Sequence, residues 1–90
     1  MLFTAHVRVT LRPSILDPQG KAIEQAVRDL GIPAVEGVRT GKFFELTVDA
    51  ETSETAEAVV KQAAERLLAN PVTEDFTVLA LIPADGVEAE

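Results

Sequence analysis

The chain has 90 residues, 47% of them hydrophobic and 26% charged, with 15 acidic side chains against 8 basic ones, a net charge of −7 and no cysteine. A domain this small buries only about 60 to 65% of its unfolded surface and so leans on partners, but its hydrophobic share excludes a disordered chain. The acidic balance argues against nucleic acid and anionic membranes, no apolar run approaches the ~20 residues of a membrane span, and the lack of cysteine excludes disulfides and thiolate metal sites.

In chain order, Ala5, Val7, Val9 and Leu11 alternate with His6, Arg8, Thr10 and Arg12, the period of a strand with one face on a core and one in water. Pro13 and Pro18 then fix φ near −65° and bias Arg12 and Asp17 toward extended backbone, which makes a tight corner. Asp17 reads as an N-cap and Pro18 as the first helical residue, where a missing N-H costs nothing. Ile23, Ala26, Val27 and Leu30 recur at helical spacing up to the stop at Gly31-Ile32-Pro33.

Val35 to Val38 is expected to form a short strand, Thr40-Gly41 a turn, and Phe44, Leu46, Val48 and Ala50 the inward side of a longer strand, giving a hairpin. Thr52 or Ser53 caps a second helix with the face Ala56, Val59, Val60, Ala63 and Leu67, which Asn70-Pro71 ends. A last strand runs from about Thr73 to Ile82. The order β-α-β-β-α-β is that of an α+β, ferredoxin-like sandwich, an antiparallel sheet with two helices on one face. The domain is expected to span residues 1–82, and the acidic tail 83–90 to be disordered.

In the last strand Phe76, Val78, Ala80 and Ile82 are expected on one side and Leu79 and Leu81 on the other, so both faces are apolar. Exposing each leucine would forgo roughly 1.5 to 3 kcal/mol, so Leu79 and Leu81 are candidates for self-association.

Catalytic chemistry finds little support. His6 is the sole histidine and lies on the polar side of its strand with no nucleophile at a recognisable spacing, and the acids are dispersed over helix faces and turns. No catalytic, cofactor-binding or metal-ligating residue is assigned. In Gly37-Val38-Arg39-Thr40-Gly41-Lys42 two cations flank a glycine turn, but Lys42 is followed by Phe43 and a strand, so this is no phosphate-binding loop. With Phe44 facing the core, Phe43 points outward. Arg39, Gly41, Lys42 and Phe43 therefore form a candidate docking surface, because Arg and aromatic side chains are common anchors. Asp17 and Gly20 at the corner are a second candidate contact.

Three segments together resemble one family. They are Val9 to Pro13 with Leu16 to Ala22, Val38 to Lys42 with Glu45-Leu46, and Leu67 to Val72 with Glu74-Asp75. In order and spacing they resemble PurS, the small subunit of phosphoribosylformylglycinamidine (FGAM) synthase in purine biosynthesis. Phe76 stands where Tyr is often expected, and the acidic tail is long for the pattern.

The resemblance implies a cytoplasmic ligase complex that converts formylglycinamide ribonucleotide, glutamine and ATP to FGAM, glutamate, ADP and phosphate. It implies that this chain carries no cofactor and has no activity alone, with ATP and Mg²⁺ held by the large synthetase subunit. It would bridge that subunit and a glutaminase subunit as a homodimer or a dimer of dimers, for ammonia transfer. The alternative is a free-standing sensor dimer that binds a small ligand.

Overall fold

The computed structural model describes residues 1–84. The elements are β1 (Leu2–Leu11), α1 (Pro18–Asp29), β2 (Gly41–Asp49), α2 (Ser53–Ala63), a π-helical turn (Ala64–Leu68) and β3 (Glu74–Pro83). The architecture is α+β. A three-stranded antiparallel sheet has the order β2-β1-β3, with the first strand in the centre.

The alternation in β1 sets the layers. Phe3, Ala5, Val7 and Val9 are buried, while the residues between them face the open side of the sheet. Across β1, Val7 lies opposite Phe44 of β2 and Val78 of β3, so the inner faces of all three strands line up. α2 packs on this inner face. Thr52 caps it by accepting from the Thr55 N-H at 3.1 Å, and Ala56, Val60 and Ala64, spaced four apart, are fully buried. The Ala69 N-H then donates to the Ala64 carbonyl five residues back, so one extra residue enters the turn and Ala69 carries on the buried line. Val59 and Leu67, expected on the buried face, are exposed.

Four expectations are corrected. Val35 to Val38 forms no strand, and β2 pairs with β1 rather than in a hairpin with that segment. The backbone there is drawn elsewhere: the Thr40 N-H donates to Asp17, and Arg39 reaches back to the corner. In β3, His6 is opposite Ala80 but Val7 is opposite Val78, which leaves Leu79 as an extra bulged residue. The bulge inverts the phase, so Leu81 packs against the core with Phe76 and Val78 while Ile82 and Leu79 stay exposed. Leu81 is thus not part of an outward patch. Pro83 closes β3 and Ala84 is buried with its N-H on the Leu2 carbonyl at 2.8 Å, so these two belong to the fold. The expectation of a disordered tail otherwise falls on 85–90, outside the described residues.

The last correction concerns α1. Its N-cap is as expected, yet it does not pack on the sheet as α2 does. Ile23, Ala26 and Leu30 are exposed, Leu30 to 76%, and the buried positions are Gly20 and Glu24. The Cα radius of gyration is 16.7 Å, against about 12 Å for a compact 90-residue domain.

Candidate functional site

The three segments singled out in the sequence meet at one end of the sheet, in a joint made almost entirely of polar contacts. Asp17 is its centre, only 4% exposed. One carboxylate oxygen accepts from the Gly20 N-H at 2.9 Å, which caps α1. The other accepts from the Thr40 N-H at 2.7 Å, and the Thr40 hydroxyl lies 3.0 Å from both oxygens. The Thr40 and Gly20 N-H groups hold this carboxyl below the ordinary value of 3.8, and the Thr40 hydroxyl and the Arg39 charge act the same way against burial, which pushes it up.

Gly20 is required by close approach. A Cβ there would lie 2.5 Å from the Val38 carbonyl oxygen and 2.8 Å from the Asp17 carboxylate. Gly41 is fitted similarly, since its Cβ would lie 2.7 Å from the Val9 carbonyl oxygen.

Arg39 closes the corner from outside. Its guanidinium donates to the carbonyls of Leu11 and Arg12, both at 3.0 Å, and of Ile15 at 3.2 Å, the Arg12 oxygen also closing the turn by accepting from the Ile15 N-H at 2.9 Å. Arg12 ties in the third segment. Its N-H donates to the Thr73 carbonyl at 2.9 Å, its side chain to the Pro71 carbonyl, and it pairs with Asp75 at 3.4 Å. The turn below is organised by Asn70, whose side-chain oxygen accepts from the Val72 N-H at 2.9 Å and whose own N-H donates to Glu74 at 2.7 Å. Lys42 and Glu74 pair at 3.7 Å across the inner face, above β1.

Of the candidate docking residues, Asp17 and Gly20 are buried in this joint and offer a partner its shape rather than their side chains. Arg39 is committed to backbone carbonyls. Phe43 is 61% exposed on the open side of the sheet, opposite Arg8, with its ring 5.1 Å from the His6 ring. His6 in turn meets Glu45 at 3.1 Å. Sequence reasoning missed Thr40 and Arg12 as members of the joint. A buried aspartate has more acceptor capacity than one helix cap uses, and that surplus was the available signal.

An open hollow of about 500 Å³ lies beside the corner, lined by Ile15, Lys21, Glu24, Gly37 and Arg39 among others. Both signs of charge line it, and Glu24 is already paired with Arg28 at 2.9 Å. Among the described residues no three His, Cys, Asp or Glu side chains are grouped to hold a metal ion.

These features define a class: a small α+β domain whose polar groups are spent on fixing its own corner, and whose exposed aromatic and apolar side chains lie beside that corner. The family model for PurS, phosphoribosylformylglycinamidine (FGAM) synthase, matches residues 4–81. The FGAM synthase subunit PurS of Mycobacterium leprae is 47% identical over 74 residues, 82% of this chain and 90% of that protein. The structure of Thermus thermophilus PurS superposes with a TM-score of 0.79 at 44% identity, covering 90% of this chain and 95% of that one. A chain in the structure of PurLQS from Thermotoga maritima gives a TM-score of 0.82 at 40% identity, covering 87% and 95%. The chain belongs to the PurS family of FGAM synthase subunits.

Proposed function

We propose that this chain is the non-catalytic bridging subunit of an FGAM synthase complex in purine biosynthesis, working in the cytoplasm as a homodimer or a dimer of dimers. Its partners are a glutaminase subunit that releases ammonia and a large synthetase subunit that activates formylglycinamide ribonucleotide with ATP and Mg²⁺. The chain holds the two in register so that ammonia reaches the activated substrate before it escapes to water. No cofactor is assigned to this chain.

One observation carries this reading. The family-matching segments converge on a joint that immobilises the corner, and Phe43 and Lys42 stand beside it on adjacent positions of β2, one on each face of the sheet. A rigid corner beside an exposed aromatic is a preorganised docking edge, on which little side-chain entropy is lost on binding. In this reading Phe43 and Lys42 touch the partner, while Arg39, Asp17, Gly20 and Gly41 keep the edge in shape.

The test is reconstitution with separately purified glutaminase and synthetase subunits. Lys42→Ala with Phe43→Ala is expected to leave the circular dichroism of the chain unchanged and to lower glutamine-dependent FGAM formation at limiting subunit by tenfold or more. Activity with ammonia supplied directly should be spared. Undiminished glutamine-dependent activity would overturn the docking assignment, and turnover by this chain alone would overturn the bridging role.

A further inference from the structure

The open side of the sheet carries a charge that the chain itself leaves unanswered. Across the three strands Phe43 of β2, Arg8 of β1 and Thr77 of β3 form one row. His6 lies between Glu45 and Ala80 in the row on one side, and Thr10 between Gly41 and Asp75 in the row on the other. The carboxylates in both flanking rows are taken, Glu45 by His6 at 3.1 Å and Asp75 by Arg12 at 3.4 Å. Lys42 is paired with Glu74, and Arg39 donates to backbone carbonyls. Arg8 is exposed, and among the described residues it has no ion pair. In a chain with 15 acidic residues a carboxylate opposite it would stabilise the sheet, yet its cross-strand neighbours are an aromatic ring and a hydroxyl. An open hollow of about 620 Å³ lies beside it, lined by Arg8, Thr10, Arg39, Asp75 and Thr77 among others. With Asp75 neutralised by Arg12, this is a cationic spot on a chain of net charge −7.

We propose that Arg8 is the receptor for a carboxylate of a partner subunit. An Asp or Glu side chain of the partner enters the hollow against the Arg8 guanidinium, the Thr10 and Thr77 hydroxyls are further donors, and an apolar neighbour in the same partner segment covers Phe43. This rests on the docking edge stated under Proposed function and names the charge that the edge recognises. A protein carboxylate is the fitting occupant, rather than a small anion, because Phe43 stands in the same row 61% exposed and only a segment with an apolar side chain uses it. Charge complementarity also fixes where an acidic segment lands. The net negative charge of the chain opposes its approach elsewhere, and the arginines draw it to this end of the sheet.

The test reads the concentration of this chain that gives half-maximal glutamine-dependent FGAM formation with purified glutaminase and synthetase subunits. Arg8→Ala is expected to raise it about tenfold and Arg8→Glu about a hundredfold, while Arg8→Lys stays within about threefold of wild type. Added salt should weaken assembly of the wild type more than that of Arg8→Ala. An Arg8→Glu chain that assembles as readily as wild type, or a salt dependence identical in wild type and Arg8→Ala, overturns the charge assignment. If Lys42→Ala with Phe43→Ala still impairs assembly in that case, the docking edge stands without it, and if neither variant does, both readings fall. Zero-length carbodiimide coupling of the complex assembled with Arg8→Lys then identifies the occupant. The expected product, absent from wild type, is an amide between position 8 and an Asp or Glu of the glutaminase or synthetase subunit. Coupling to Asp85, Glu88 or Glu90 of this chain would show that its own acids fill the hollow and would overturn the proposal. Saturable shifts of the 8, 10 and 77 amides on adding inorganic phosphate to the chain alone would make this a small-anion site and likewise overturn it.

Discussion

The two helices carry the same kind of amphipathic spacing and end in opposite situations. α2 presents Ala56, Val60 and Ala64 to the sheet and buries all three, whereas α1 presents Ile23, Ala26 and Leu30 to solvent. The difference lies in what anchors each. α2 is held along its length by packing of small side chains, which lets it sit close to the strands. α1 is held at one end, by a buried carboxylate that joins its cap to the start of β2. Periodicity therefore says that a helix has an apolar face, and the anchors decide which surface receives it.

Three measurements test this contrast. The largest effect is expected in the packed half: Phe3 is 3% exposed beneath α2, and Phe3→Ala should lose about 3 to 5 kcal/mol in urea denaturation, a loss large enough to unfold the chain at 37 °C. A loss under 1 kcal/mol would mean that the sheet and α2 are not the stable unit.

The joint should respond to acid. The Asp17 carboxyl in the folded chain lies below its ordinary value of 3.8, so between the two values the unfolded chain binds more protons. Stability from this group is then fully present above about pH 4 and is lost as the pH falls through the folded-state value. Asp17→Asn should flatten the decline of the urea midpoint below pH 4 relative to wild type. An unchanged pH profile would show that the carboxylate is not held as described.

The smallest effect is expected on α1. Leu30→Ala removes a side chain that is 76% exposed, and at concentrations low enough to keep the chain monomeric it should shift stability by no more than about 0.5 kcal/mol. A loss above 1.5 kcal/mol under those conditions would show that α1 packs within its own chain and would erase the contrast with α2.

Much of the fold was legible because it follows from local rules. The strand period in β1, the Asp17-Pro18 cap, the Thr52 cap and the stop at Asn70-Pro71 each depend on residues within a few positions of one another, and each stands in the structure. Val35 to Val38 was misread because a short apolar run is equally compatible with a strand or a covered loop, and Arg39 and Thr40 are drawn away by a corner some 25 residues earlier in the chain. The side assigned to Leu81 was misread because one bulged residue, Leu79, inverts the alternation, and a bulge is fixed by the pairing with β1 rather than by β3 itself. At the candidate site, the residue types were legible and their tasks were not. Arg39 reads as a free cation beside a turn until the corner's backbone carbonyls are brought against it.

By itself the sequence determined the α+β class, the helix caps, the apolar side of β1 and of β2 and, through three segments in a characteristic order, the family. Only the tertiary structure decided that those segments form one joint, that Asp17 is buried with two anchored elements on its two oxygens, and that α1 stands away from the sheet. The physical reason is range. Propensity, capping and periodicity act over a few residues, while the choice of partner for a buried carboxylate or an apolar stripe depends on which distant groups the folded chain brings within reach.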